Sequence, residues 1–253
     1  MTDRIVISSD DQARYNDREL EAAFLYFVED FKPTLAVKNG DLVDLQAVGK
    51  YRASLAERQT LKEDIEAGVQ ILLNLRTALP QGARIVLTAG NHEERLENYL
   101  KDQAPELEGL VGLTLPELLH LKELGVEYFG PYGSGFEWHS VFIYHGMFHT
   151  KQAGVKELAA RWTSGVSGHT QRLTVTHFTD GMGVPHAWYE DGCMCRVDPE
   201  GAPPSMRGPI QNDWQQGFVI GEFRDHCWQL TPIHAYKHQF IYDGTLYTPD
   251  GAR

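Results

Sequence analysis

The sequence predicts an α/β fold in which two β-sheets share one domain and helices lie outside them. Three observations carry that expectation. The first third alternates short β-rich runs with segments of helical periodicity. The second half turns to short β-like runs in close succession, with little helix between them. No linker, internal repeat or low-complexity tract breaks the chain, so a single domain over 1–253 is expected.

The elements follow in order. "RIVISS" (4–9) is β-rich, and 17–31 sets Leu20, Phe24, Phe27, Val28 and Phe31 at helical spacing. "TLAVKNG" (34–40) reads as a second strand. A long helix over 55–79 then carries Leu61, Ile65, Val69, Leu72 and Leu75 on one side. "ARIVLTAG" (83–90) is a third strand, followed by a helix from about 92 to 101. This βαβαβα order implies parallel neighbours with helices packed on them, and ligands gather at the carboxyl ends of such strands. Beyond it, "VFIYHG" (141–146), "SGVSGH" (164–169), "RLTVTHF" (172–178), "PHAWYE" (185–190), "GFVIGEF" (217–223) and "CWQLTPIH" (227–234) are β-like. Only 115–123 and 151–161 read as helical among them, and 199–213 is a Pro- and Gly-rich loop.

With 42% hydrophobic and 11% aromatic residues, the chain can bury a substantial core. Its formal charge of −12 argues against a general nucleic-acid binder, unless the acidic residues surround divalent cations. Cys193, Cys195 and Cys227 are too few for a disulfide framework and are expected to be buried, reduced thiols. "MTDRIVISSDDQ" becomes polar too soon for a signal peptide, and "AAFLYFV" (22–28) is too short for a membrane span. A soluble, cytoplasmic protein is expected.

Each strand stops at the same kind of chemistry. The endings are Asp10 and Gln12; Asp41 and Asp44 in "NGDLVD"; Asn91, His92 and Glu93 in "AGNHEER"; His145-Gly146; and His169 with Gln171. Asp, Asn and Gly after a strand are common turn residues, and a lone His before Gly is ordinary. Five such endings in sequence exceed what turns require. Carboxylates mixed with amide and imidazole donors are what a two-cation site for phosphate chemistry uses.

The ordered series Asp10-x-Gln12, Gly40-Asp41-x-x-Asp44, Gly90-Asn91-His92-Glu93, His145-Gly146 and Gly168-His169-Thr170 resembles the calcineurin-like metallophosphoesterase family. That family's motifs run D-x-H, G-D-x-x-D, G-N-H-[DE], G-H or H-G, and G-H-x-H. The likeness spans 10–172, and the run with its extended tail is similar to phage-encoded members. The resemblance implies a four-layer α/β/β/α sandwich, two mixed sheets flanked by helices, that hydrolyses phosphate mono- or diesters. It also implies two metal sites sharing Asp41, one completed by Asp10, Gln12 and Gln171, the other by Asn91, His145 and His169. This chain departs from the family at Gln12 and Gln171, both on the same metal, and both keep an oxygen donor. The altered site is then all-oxygen and is expected to prefer a hard cation, Mn²⁺ or Mg²⁺, to Zn²⁺, and to hold it loosely. Its sister suits Mn²⁺, Fe²⁺ or Zn²⁺, so two divalent ions, Mn²⁺ foremost, are the expected cofactors.

Two cations about 3.5–4 Å apart share a water, lower its pKa toward about 7 and clamp the phosphoryl oxygens. In the family the His of "GNHE" is not a ligand, so His92 is the expected general acid, with Asp44 orienting it and raising its pKa. Asn91 combines ligation with the start of a helix whose N-terminus favours phosphate. Arg95 is the first candidate for substrate contact, with Arg172, His149 and Lys151 behind it. His139, His177, His186, His226, His234 and His238 match no motif and are expected as structural or surface groups. The expected partner is a phosphate ester, with nucleotides and nucleic acid among the options, and no membrane. Alternatives are a DNA or RNA nuclease of the same family, and a non-catalytic scaffold with a degenerate metal site. A Ser/Thr protein phosphatase is disfavoured, because Leu45-Gln46 stands where that pattern places an Arg. The segments 55–79 and 199–213 are expected to wall the site or mediate dimerisation.

Overall fold

Side chains alternate along the first strand, β1 (Asp3–Ser8), and that alternation sets the layering: Ile5 and Ile7 face one side, Val6 the other, and all three are buried. A computed structural model describes residues 2–50, 60–198, 200–203 and 213–253. In it β1 pairs in parallel with β2 (Leu35–Lys38), β2 with β3 (Arg84–Thr88) and β3 with β4 (Val126–Phe129). On the other side of β1, β10 (Gly217–Arg224) and β11 (Cys227–His234) add antiparallel and complete a six-stranded sheet. A second sheet has the order β5 (Gly135–Trp138), β6 (Val141–Tyr144), β7 (Ser164–Ser167), β9 (Pro185–Asp191), β8 (Leu173–Thr179), with a parallel centre and antiparallel edges. A small antiparallel sheet, β12 (Phe240–Tyr242), β13 (Thr245–Thr248) and β14 (Gly251–Ala252), ends the chain.

Local chemistry starts and stops the helices. α1 (Arg18–Phe31) begins where the Asp17 carboxylate accepts from Leu20 N at 3.1 Å, and ends at Lys32 with φ 51°, just before Pro33. α2 (Leu61–Ala78) opens with a Thr60–Glu63 capping box and stops before Pro80. Both lay their apolar faces on the outer side of the first sheet, where Phe24, Phe27, Leu72 and Leu75 join Val6, Ala36, Ile85 and Leu87. α5 (Ala153–Arg161) covers the second sheet through Leu158 against Tyr144 and Trp188. Between the sheets, Ile5, Ile7, Val37 and Val86 meet Val141, Ile143, Val166 and Tyr189. At about 1.5–3 kcal/mol per buried aliphatic side chain, this inner layer locks the two sheets together. The result is the α/β/β/α sandwich of two mixed sheets that the motifs implied.

Several boundaries differ from the sequence reading. The long helix starts at Leu61, and 55–59 lie outside the described residues, as does most of loop 199–213. The helix expected at 92–101 is α3 (Glu94–Gln103), while of 115–123 only α4 (Leu115–Leu118) is helical. Strands β4, β5, β12, β13 and β14, each four residues or shorter, add to those that the sequence predicts. Cys193 and Cys195 are buried as expected, but Cys227 is exposed. It follows the Asp225-His226 turn, both at positive φ, so its side chain lies at a hairpin end rather than in the core. Among the described residues, no helix is long and apolar enough to cross a membrane.

Candidate metal centre

The loops that follow β1, β2, β3, β6 and β7 are tied to one another at one end of the sandwich. Asp10 N donates to Gly40 O at 3.1 Å, Gln12 N to Asp41 O at 3.0 Å, His92 N to Asp41 Oδ1 at 3.0 Å and His169 N to Asp10 Oδ2 at 2.9 Å. Five of the seven predicted ligands, Asp10, Gln12, Asp41, His169 and Gln171, hold φ between 50° and 68°. Residues with a Cβ rarely adopt that conformation, and it costs roughly 1–2 kcal/mol each. Such strain persists only where surrounding contacts over-determine it. The motif glycines make room for it: a Cβ on Gly40 would overlap the His145 ring, and one on Gly90 the Asp41 carboxylate.

Asp41 is the hub. Its carboxylate and the ring nitrogens of His145 and His169 lie within 4.8 Å of one another, a group able to hold a metal ion. His145 is fully buried, and its Nδ1 stands 2.7 Å from Asn39 O, which leaves Nε2 facing Asp41 Oδ1 at 3.3 Å. That Nε2, Asn91 Oδ1 and Gln12 Oε1 are buried without hydrogen-bond partners among the described residues. The other half is drawn together by amides. Gln12 Nε2 donates to Asp41 Oδ2 at 3.3 Å, and Gln171 Nε2 donates to Asp10 Oδ1.

The field here attracts positive charge. Burial opposes a charged His145, yet the carboxylates of Asp41 and Asp10 and the carbonyl of Asn39 push it up to about 10. Burial and the neighbouring His145 push His169 down to about 4. Asp41, despite its burial, is held well below the carboxylate range by His145 and His92. Burial, with Asp41 nearby, pushes Asp10 up to about 6.

Beside the hub, His92 Nδ1 makes an ion-pair contact with Asp44 Oδ1 at 3.0 Å, and its Nε2 lies 3.7 Å from Asp41 Oδ2. Burial disfavours a charge on His92, but Asp41 and Asp44 outweigh it and raise its pKa. Arg95 does not point away from this pair. It donates to Asp44 O at 2.6 Å and Asp44 Oδ1 at 3.0 Å, and reaches His92 Nε2 at 2.6 Å. Arg172 is buried and bonded to Glu190 and to Thr150 O, both at 2.8 Å, so it serves the loop rather than a ligand. His149 is exposed, with its ring 6.3 Å from that of His169, and Lys151 is exposed in the same loop.

No family model matches the chain. Two mycobacteriophage proteins are similar to it over most of their length. Gene 54 protein of Mycobacterium phage L5 is 27% identical over 231 residues, 87% of this chain and 89% of that protein. Gene 54 protein of Mycobacterium phage D29 is 29% identical over 234 residues, with the same two coverages, 87% and 89%. Among solved structures, Vps29 from Cryptosporidium parvum superposes with a TM-score of 0.47 at 13% identity, covering 100% of this chain and 97% of its own. Chaetomium thermophilum Vps29 gives 0.47 at 9% identity, covering 99% and 94%. A single mutant of Vps29 from Entamoeba histolytica gives 0.44 at 12%, covering 97% and 96%.

Three supports of the site carry no assigned role in the sequence. Glu93 accepts from Gly90 N (2.7 Å), Asp41 N (2.8 Å), Leu42 N (2.9 Å) and Val43 N (3.3 Å), and so fastens the third loop to the second. Ser9 Oγ bridges Asp10 and Asp191 at 2.7 Å each, and Asn39 Nδ2 reaches Asp191 at 3.1 Å. Lys38 and Asp11 form a buried pair at 2.8 Å beneath the Asp10 loop. Glu93 was visible inside "GNHE"; the other two had no signal beyond polar residues at the ends of apolar strands.

Proposed function

We propose that the chain is a metal-dependent phosphoesterase that hydrolyses phosphate mono- or diesters. One cation is assigned to Asp41, Asn91, His145 and His169, and a second to Asp10, Gln12, Asp41 and Gln171. The observation that carries this reading is the Asp41–His145–His169 group, whose ligand atoms lie within 4.8 Å of one another while His145 Nε2 is buried without a hydrogen-bond partner among the described residues. Buried polar atoms are nearly always bonded, and an unpartnered imidazole nitrogen beside a carboxylate and a second imidazole fits a cation's ligands. Gln12 and Gln171 fit once their amides are turned, since oxygen and nitrogen ends occupy nearly the same space.

Bound divalent cations supply a water of lowered pKa and neutralise charge on the phosphoryl oxygens. The protein's own groups do the rest. His92 is assigned proton delivery to the leaving alkoxide, with Asp44 holding its Nδ1 side. Glu93 keeps the loops bearing Asp41 and Asn91 in register. Mn²⁺ is the expected ion, because the donors mix carboxylates, amide oxygens and imidazoles.

The test is reconstitution. The chelator-stripped protein is given Mn²⁺, Mg²⁺ or Zn²⁺ and assayed with a nitrophenyl phosphodiester and the corresponding monoester, beside an Asp41→Asn control. Mn²⁺-dependent hydrolysis that Asp41→Asn abolishes supports the reading, and the preferred ester names the substrate class. No hydrolysis with any ion leaves the protein a scaffold.

A further inference from the structure

Both arginines that the sequence offers for substrate contact are spent inside the protein. Arg95 is bonded to Asp44 and His92, and Arg172 to Glu190 and Thr150 O. Whatever steadies a bound phosphoryl group besides the cations must come from elsewhere at the mouth of the site. Tyr132 overlooks it. Its ring stands 6.1 Å from that of His145 and 6.3 Å from that of His169.

The residue is held where it is by its backbone. Tyr132 N donates to Glu94 Oε1 at 3.2 Å, which ties its turn to the first turn of α3, and Ser134 N closes that turn onto Pro131 O at 2.9 Å. The side chain is half-buried, yet among the described residues its hydroxyl has no hydrogen-bond partner. A phenol keeps its proton at neutral pH and offers one O–H donor. It also brings no charge. An arginine in the same place would repel cations bound at Asp41, whereas a neutral donor adds a hydrogen bond without that cost.

We propose that Tyr132 is a substrate-contacting residue whose hydroxyl donates to a phosphoryl oxygen of an ester held at the Asp41–His145–His169 group. The inference rests on the phosphoesterase reading. Preorganised donors aimed at developing charge are worth roughly 10²–10³ in rate at their strongest, and a single neutral phenol on a solvent-facing rim about tenfold.

The experiment compares the full-length protein with Tyr132→Phe, both loaded with Mn²⁺. Steady-state kinetics on the preferred nitrophenyl ester are combined with inhibition by inorganic phosphate and calorimetric titration of Mn²⁺. Tyr132→Phe removes no protein hydrogen bond, so its thermal midpoint and Mn²⁺ affinity should match the wild type. Its kcat/KM should fall about tenfold, and inorganic phosphate should bind about tenfold more weakly. Unchanged kinetics with unchanged phosphate inhibition would overturn the assignment while leaving the phosphoesterase reading intact. Loss of Mn²⁺ affinity would overturn it too, by making Tyr132 a support of the metal ligands. A wild type that neither hydrolyses the esters nor binds phosphate with Mn²⁺ present overturns the reading beneath it.

Discussion

His92 Nε2 lies 2.6 Å from a guanidinium nitrogen of Arg95. Arginine has only donors, so Nε2 accepts, and the imidazole carries its proton on Nδ1, facing Asp44. The nitrogen that would serve a leaving group is therefore capped at rest and must be released for proton transfer. Arg95 also anchors Asp44 through two bonds, so its role is alignment. Arg95→Met should lower kcat about tenfold and leave KM within about twofold. A rise in KM at constant kcat would return Arg95 to the substrate.

The acid role of His92 predicts a dependence on the leaving group. Nitrophenolate departs without a proton, whereas an alkoxide needs one. His92→Ala should cost about 10²-fold or more with alkyl phosphate esters and only a few-fold with nitrophenyl esters. Equal losses on both series would assign His92 to positioning alone.

Glu93 gives a structural prediction at the same site. Its carboxylate serves four backbone N–H donors from two loops. Glu93→Gln turns an NH₂ group toward some of those donors, and the cost should be about 1–3 kcal/mol in a urea melt. Because Asp41 sits in one of the loops, Mn²⁺ affinity should fall with stability. A variant as stable and as tight for Mn²⁺ as the wild type would remove Glu93 from the site's framework.

The legible part of this protein is the part built on spacing. Asp41, Asp44, His92, His145 and His169 could be picked out because each follows a β-rich run and lies within a few residues of a motif glycine, and the fold brings them together. The layering was legible for a similar reason: β1, β2 and β3 carry unbroken apolar runs. Partner choice was not. Nothing local announces that Arg95 turns inward to Asp44, since that depends on a loop 51 residues away. Nor does the sequence record that Ser9 and Asn39 meet Asp191 across the two sheets, 182 and 152 residues along. Those contacts follow from sheet packing, which periodicity implies only in outline.

Asp64 predicts how stability depends on pH. Burial, and then the neighbouring Asp44, push it up to about 7 from 3.8, although Leu45 N donates to its carboxylate. A carboxyl group raised in the folded state holds its proton where the unfolded chain has lost it. The contribution of Asp64 to stability is therefore greatest at and below about pH 4, declines as pH rises toward about 7, and is a constant penalty above that, of up to a few kcal/mol. Asp64→Asn keeps an acceptor for Leu45 N and cannot ionise. Thermal midpoints across this range should slope less steeply in the variant, which should be the more stable protein at pH 8. Parallel curves for the two proteins would remove Asp64 as the source.

The two glutamines make the last prediction. Both present their amide N–H to a carboxylate, Gln12 to Asp41 and Gln171 to Asp10. A cation entering this half must have both amides turned so that oxygen faces it, which gives up two hydrogen bonds at about 1 kcal/mol each. In the imidazole-bearing half a cation displaces a proton from His145, whose Nε2 faces Asp41 Oδ1 at 3.3 Å, but it breaks no amide hydrogen bond, and Asn91 Oδ1 has no hydrogen-bond partner among the described residues. Calorimetric titration of the stripped protein with Mn²⁺ should accordingly show two steps, the second weaker by at least about tenfold. Gln12→His with Gln171→His should strengthen the weak step and turn its preference toward Zn²⁺, because neutral imidazoles offer nitrogen donors in place of amide oxygens. Two equally tight zinc ions on the wild type would sink the idea that these glutamines loosen one half of the centre.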